Sequence, residues 1–392
     1  MKHMKFFTFL FCMAFGLLAC SGGGNNDASG DGDSVDNGET TSAQFSKGAD
    51  ISWVTQMEQE GKKFYNAKGE ETECFRLMKD LGLNAVRLRV WVDPKAHGNW
   101  CNTADLVAKA RRAKNLGMDV MVDFHYSDWW ADPGQQHKPA AWKGLNLADL
   151  KKAVATHTAD VLRALKAADV TPRWVQVGNE IRPGMLWDED AALSGAAYDI
   201  RECDVKGSNS TSTAVKYRKN LANLAAFINA GYDAVKSVFP KSIVIVHLDN
   251  GYDGSLYTWF FDELKKNGGK WDMIGMSLYP YWTMLEHKDY TPERTITDCI
   301  ANIKSVSARY NCDVMVVETG MECADDHGKL ASADVLNEGK VLMDRILKEC
   351  RDNTDGRCKG VFYWEPQCRP SQYRLGAFTE DGRPTVIMEA FK

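Results

Sequence analysis

From residue 47 onward, short and nearly unbroken apolar runs alternate with longer stretches in which apolar residues recur every three or four positions. The short runs predict strands at 48–51, 85–90, 120–124, 174–177, 243–248, 273–277, 314–317 and 361–364. Runs without polar alternation suit parallel strands covered on both faces. The longer stretches predict helices at 74–81, 103–116, 150–168, 215–238, 257–266, 295–310 and 333–348, with a short one at 386–391. Leu150, Val154, Val161, Leu162 and Leu165 show the one-sided spacing of a helix packed on a core. Leu81-Gly82 and Leu116-Gly117 end two of these stretches, and glycine suits the turn that closes a helix. Eight strands alternating with eight helices predict an α/β fold, a (β/α)8 TIM barrel forming a single domain over 47–392. A doubly wound open sheet competes, but no strand runs into a Gly-x-Gly-x-x-Gly loop. Long connections at 128–146 and 182–213 fall on the face where barrel active sites are built.

The start of the chain follows a different pattern. Lys2, His3 and Lys5 precede an apolar run over 6–18, too short to span a bilayer comfortably and matched to a signal-peptide core. Leu17-Leu18-Ala19-Cys20-Ser21 resembles the bacterial lipoprotein signal, which implies a leader over 1–20 and lipidation of Cys20. An ordinary cleavable signal is the alternative. Residues 21–46 read as a flexible tether, almost wholly Gly, Ser, Asn and Asp as far as 37. The expectation is an exported, membrane-anchored protein, with Asp27, Asp31, Asp33 and Asp36 favouring the outer cell surface over the periplasm. Its membrane contact would be through the lipid alone.

Composition narrows the partners. A net charge of −5 over 392 residues offers no basic footprint for nucleic acid. The 12 tryptophans and 13 tyrosines include enough aromatic surface to stack on sugars, although packing alone explains most of them. The expected partner is a polysaccharide and the expected state a monomer. Of 11 cysteines, those outside the signal number nine once Cys12 and Cys20 are set aside, so at least one stays unpaired within the chain. No Cys-x-x-Cys pair suggests zinc or dithiol chemistry. Cys350 and Cys358 bracket a polar loop and form the best disulfide candidate.

Polar residues at the C-terminal ends of barrel strands are catalytic candidates. Strand two ends Arg87-Leu88-Arg89-Val90-Trp91, strand three Asp123-Phe124-His125-Tyr126-Ser127-Asp128 followed by Trp129, and strand four Gln176-Val177-Gly178-Asn179-Glu180. Strand five ends His247-Leu248-Asp249-Asn250, strand six reaches Tyr279, strand seven ends in Glu318 and strand eight in Trp364-Glu365. Any one of these could merely balance a neighbour inside the barrel. Glu180 and Glu318 are harder to explain that way, since a buried carboxylate is costly to keep. Glycoside hydrolysis needs such a pair, one acid for the leaving oxygen and one carboxylate on the other face of the sugar. On this reading Arg89 holds a carboxylate ionised, Asn179 binds the sugar 2-hydroxyl and Trp364 forms a stacking floor. Trp91, His125, Asp128, Trp129, Asp249, Asn250 and Tyr279 complete the candidate substrate-binding set.

Seven ordered blocks then resemble glycoside hydrolase family 53, the arabinogalactan endo-β-1,4-galactanases: GADISW at 48–53, NAVRLRVWVDP at 84–94, DFHYSDWWADPGQQHKPAAW at 123–142, WVQVGNEI at 174–181, HLDNG at 247–251, VVETG at 316–320 and YWEP at 363–366. The resemblance implies a retaining mechanism, with Glu180 as acid/base, Glu318 as nucleophile and a carboxyl separation of about 5–5.5 Å. It implies galactan as substrate, with Asp128, Trp129 and Trp130 of the 123–142 block against axial hydroxyls. It implies no required cofactor, but some bacterial members hold calcium after strands seven and eight. Asp325, Asp326 and His327 are the candidates here, and a solvated acidic loop is the competing account. Two rivals remain: a retaining barrel enzyme on another β-1,4-glycan, and a non-catalytic glycan-binding lipoprotein.

Overall fold

A computed structural model describes residues 44–187 and 211–392. The leader with Cys20, the tether as far as residue 43, Cys203 and most of the predicted 182–213 connection lie outside the described residues. Eight parallel strands close into a barrel in chain order: β1 (Ser46–Asp50), β2 (Ala85–Val90), β3 (Asp119–Phe124), β4 (Trp174–Val177), β5 (Ile243–Leu248), β6 (Met273–Leu278), β7 (Asp313–Thr319) and β8 (Cys358–Trp364). The ring is sealed where β8 pairs with β1, Phe362 opposite Gly48.

Helices pack outside: α1 (Val54–Gln59), α2 (Cys74–Asp80), α3 (Thr103–Asn115), α4 (Leu147–Ala167), α5 (Thr211–Val238), α6 (Gly254–Lys266), α7 (Pro280–Glu286), α8 (Pro292–Tyr310) and α9 (Ala333–Asp352). The expected starts at 150, 257 and 295 are each three residues late. Asn146, Asp253 and Thr291 accept backbone N–H groups of the first turn, so capping opens these helices before their apolar stripe begins. Two short helices, α1 and α7, were not expected, because six or seven residues show no periodicity. Gly82 and Gly117 do close their helices in the left-handed conformation. The closing segment Val386–Phe391 is a 3-10 helix rather than an α-helix.

Inside the barrel the strands stack their side chains in layers. Ala85, Met121, Trp174, Ile245, Met273, Met315, Val317 and Phe362 form a dry apolar plug. Two residues further along the strands the lining turns polar at Asp50, Arg87, Asp123, Gln176 and His247, and on β6 four residues further at Ser277, all buried. The plug seals the lower end, so this polar layer becomes the floor of a site on the upper face. The predicted Cys350–Cys358 disulfide is not formed. Both are free buried thiols, and the Cys358 thiol donates to the Gly360 carbonyl at 3.5 Å.

Candidate active site

Glu318 enters the barrel through an irregularity in β7. Strict alternation after Met315 and Val317 would turn residue 318 outward. The pairing of β7 with β8 shifts between Val316 and Thr319, and its pairing with β6 shifts at Met276/Ser277, bringing Glu318 opposite Ser277. Such bulges re-aim side chains. Arg87 Nη1 stands 2.8 Å from Glu318 Oε1. That contact is one of charge rather than a directed hydrogen bond, because Glu318 Oε1 has no hydrogen-bond partner. The Tyr279 hydroxyl donates to Glu318 Oε2 at 3.0 Å. Arg87 is also 2.9 Å from Asp50 and 2.9 Å from Asp123, so one guanidinium serves three carboxylates. Burial works to raise Asp123, yet Arg87 and the two histidines His125 and His247 outweigh it and hold the group down to about 2.

Glu180 is presented by a strained turn. After β4 the backbone passes through Gly178 at φ 85° and then Glu180 itself at φ 46°, a conformation non-glycine residues seldom adopt. Strain of this kind gathers at functional sites. The Ser277 hydroxyl donates to Glu180 Oε1 at 2.6 Å. Burial and the nearby charge of Glu318 push the Glu180 carboxyl well above the usual range. Burial raises Glu318 too, and with Asp123 and Asp50 nearby it stands at about 7, but Arg87 and the Tyr279 hydroxyl pull the other way and keep it below Glu180. The pair therefore divides into a carboxyl that holds its proton and one that sheds it first. Gly275 makes room beneath them. A Cβ there would come within 2.8 Å of Ile245 and 3.2 Å of the His247 Cβ.

The model of glycosyl hydrolase family 53 matches residues 46–384. The chain belongs to that family. A Niallia circulans protein described only as uncharacterized in the bgaB 5′ region is 35% identical, the match covering 84% of this chain and 85% of that one. An arabinogalactan endo-β-1,4-galactanase of Thermothelomyces thermophilus is 30% identical, covering 82% and 89%. A solved fungal β-1,4-galactanase superimposes with a TM-score of 0.71 at 26% identity, covering 88% of this chain and 98% of that one. As a family 53 member the chain is a glycoside hydrolase.

Several residues expected at the family 53 substrate site have other duties. Arg89 does not hold either of those glutamates: it reaches Glu365 at 3.4 Å and lies over the ring of Trp130, 4.0 Å from its centroid. Arg87, two residues deeper, takes the role expected of Arg89. Asp128 is occupied by its own loops, its two oxygens accepting from the Asp93 and Ala140 backbone N–H groups at 3.0 and 2.8 Å. His125 sits below the surface, Nε2 on Asp123 at 3.0 Å and Nδ1 accepting from Ala131 N–H at 3.0 Å. Asn179 gives its oxygen to Arg87 Nη2 at 2.7 Å and donates to the Ala131 carbonyl at 2.8 Å. Asp249 forms a forked pair with Arg182. Asn250 occupies a left-handed turn at φ 53°.

The aromatic candidates do converge. Trp364, half-buried, lies 6.0 Å from Trp53, 5.9 Å from Trp130 and 4.8 Å from Tyr373. Trp91 is buried and lies 4.5 Å from Trp129, on which His97 also stacks at 4.0 Å. Trp53 and Tyr373 were missed because nothing in the local pattern marks them as rim residues.

The calcium candidates do not form a cage. Asp325 Oδ1 accepts from the His327 and Lys329 backbone N–H groups at 2.8 and 2.9 Å, tying its own turn. Exposed Asp326 pairs with Arg374 at 2.7 Å. Among the described residues no group of three or more His, Cys, Asp or Glu side chains is placed to hold a metal.

Proposed function

We propose that this family 53 enzyme cleaves internal β-1,4-galactosidic bonds of galactan and type I arabinogalactan, Glu180 serving as acid/base and Glu318 as nucleophile. The observation that carries the roles is the opposed electrostatics of the pair. Glu318 faces a guanidinium and a phenol, so it sheds its proton first and can attack the anomeric carbon. Glu180 accepts from a neutral hydroxyl and faces Glu318's charge, so it keeps a proton for the leaving oxygen. Once the glycosyl ester on Glu318 has formed, Glu180 takes a proton from the incoming water, which releases a sugar of retained configuration. Trp364, with Trp53 and Tyr373 beside it, suits the apolar face of the reacting sugar. Tyr279 and Trp129 extend the binding surface. The printed activity of the Thermothelomyces relative supports galactan as the polymer.

The monomeric barrel works at the outer face of the cell, held by a lipid on Cys20 and spaced from the membrane by the Gly/Ser/Asn/Asp tether. No cofactor takes part in the proposed steps. Side-by-side digestion of galactan, mannan, xylan and cellulose tests the substrate: reducing ends should accumulate from galactan at least tenfold faster, and faster release from another polymer overturns the assignment. NMR of the anomer first released should show retention. Cys20→Ser should move the protein out of the membrane fraction.

A further inference from the structure

The direction of the hydrogen bonds beneath Glu180 can be worked out atom by atom. Arg87 has donors only. Its Nε and Nη2 lie 3.2 and 3.1 Å from Gln176 Oε1, which fixes the orientation of that amide. Gln176 Nε2 must then point the other way, to Asp123 Oδ1 at 2.6 Å and to His247 Nδ1 at 3.1 Å. The backbone N–H of Glu180 also faces His247 Nδ1, at 3.4 Å. With two donors aimed at it, Nδ1 is an acceptor. Asn179 Oδ1, 3.1 Å away, does not reverse this. That oxygen already accepts from Arg87 Nη2 at 2.7 Å, and the amide is pinned by its bond to Ala131. His247 is buried beside Arg87 and stays neutral, so its single N–H hydrogen lies on Nε2. Nε2–H donates to Ser277 Oγ at 2.8 Å, leaving the one hydroxyl hydrogen of Ser277 for Glu180 Oε1 at 2.6 Å.

We infer that Ser277 is a positioning residue for proton transfer: the one-way chain Arg87, Gln176, His247, Ser277 occupies Glu180 Oε1 and so confines the acid's proton to Oε2. With the opposite imidazole tautomer, Ser277 would accept the proton of Glu180 and hold it away from the sugar. The same Arg87 that stands against the nucleophile thus also sets the polarity of the acid. This inference rests on the acid/base role given to Glu180 above.

Glu180 is faced by Glu318 from β7, Asp249 after β5, Asp132 from the loop after β3, and Arg182, Tyr257 and Tyr279. His247 is faced by Arg87, Asp123 and His125.

Ser277→Ala, Ser277→Thr and Glu180→Ala, assayed on aryl β-galactobiosides with good and poor leaving groups, test the inference. A dinitrophenyl leaving group needs no proton, whereas a methylumbelliferyl or simple alkyl one does. Ser277→Ala should lower kcat/KM on poor leaving groups about 10- to 100-fold, an effect of the size general acid catalysis supplies, while leaving the dinitrophenyl substrate within about twofold. It should also move the basic limb of the pH profile upward, because the ionised carboxylate loses a donor. Ser277→Thr, which keeps the hydroxyl, should restore both. Equal loss on both leaving groups, or an unmoved basic limb, overturns the inference. Glu180→Ala reports separately. If its losses do not depend on the leaving group and azide does not rescue the second step, the acid/base role itself fails. Should Ser277→Ala not fold, Ser277→Cys, a weaker donor, should give the same leaving-group dependence in smaller measure, and its absence is equally fatal.

Discussion

Two carboxylates end adjacent strands of this barrel, and each is buried beside an arginine from β2. Glu318 on β7 faces Arg87 at 2.8 Å, and Glu365 just past β8 faces Arg89 at 3.4 Å. Their surroundings differ in completeness. Glu365 has no exposure and accepts from the Trp53 backbone N–H at 3.2 and 3.3 Å as well as from Gln367. It is a corner post that ties β8 to the segment after β1. Glu318 keeps 5% exposure, and its Oε1 has charge beside it but no hydrogen bond. A buried carboxylate surrounded by donors stabilises a fold, whereas one with an unfilled oxygen at the mouth of a site is available to react.

Removing each carboxylate gives the largest contrast. Glu318→Ala should lower kcat on galactan by about 10⁵-fold while the protein stays folded, as expected for loss of a covalent nucleophile. Burial and Asp50 push the Glu365 carboxyl up to about 8, so Glu365→Gln chiefly places an amide N–H₂ among donors, at a cost of about 1–3 kcal/mol. Its kcat should remain within about tenfold of the parent, since none of its partners touches the reacting atoms. Chemical unfolding and kcat on the same preparations separate the two. A folded Glu365→Gln enzyme as inactive as Glu318→Ala would erase the distinction.

The arginines should repeat the contrast at smaller scale. Arg87→Lys loses the planar fork that serves three carboxylates and should lower kcat about 10²-fold; Arg89→Lys should lower it only about threefold. Their pH profiles differ in sign as well as size. Activity requires Glu318 ionised and Glu180 protonated, so it is lost as pH falls through the Glu318 transition and as pH rises through that of Glu180. Weakening the cation beside Glu318 raises that carboxyl, so Arg87→Lys should shift the acid limb upward. Arg89→Lys should leave the limb in place. A shift with Arg89 and none with Arg87 would reverse the assignment of the two pairs.

The two arginines also mark how far the chain can be read without coordinates. The barrel was legible because unbroken apolar runs and helical spacing are properties of short windows. Glu180 and Glu318 were legible because each follows such a run directly. Arg87 was not, since proximity to the strand end favours Arg89. What decides the matter is reach: a long side chain rooted one layer down extends to the floor of the site, and its neighbour two residues on passes beyond it to Glu365. Gln176 and His247 stand one residue before the ends of β4 and β5, within the polar strand-end runs, but nothing in their positions marks the hydrogen-bond chain they share with Ser277 at its bulge. Asp128 shows a complementary limit. Its placement in a family-like block suggested sugar contact, but its two oxygens staple two loops.

The smallest effects belong to the acidic loop just beyond Glu318. Within eight residues of Glu318 stand Glu322, Asp325 and Asp326, yet their electrostatics are opposite in kind to those of the site. Glu322 and Asp326 share Arg374, with side-chain exposures of 33% and 86%, and Asp325 is engaged by two backbone N–H groups. Solvent screens such pairs, so Arg374→Ala should cost no more than about 1 kcal/mol. It should leave kcat unchanged, because no atom of the loop reaches Glu318 or Tyr279 through a described bond. Prolonged dialysis against a chelator should leave both the melting temperature and kcat where they were, since mass action lets a ligand raise stability only when the folded state binds it. A melting temperature that falls on chelation and returns with calcium alone would show the opposite. The carboxylates after β7 would then hold a cation in some other arrangement, and the contrast between a buried reactive carboxylate and a screened acidic loop would have to be redrawn around it.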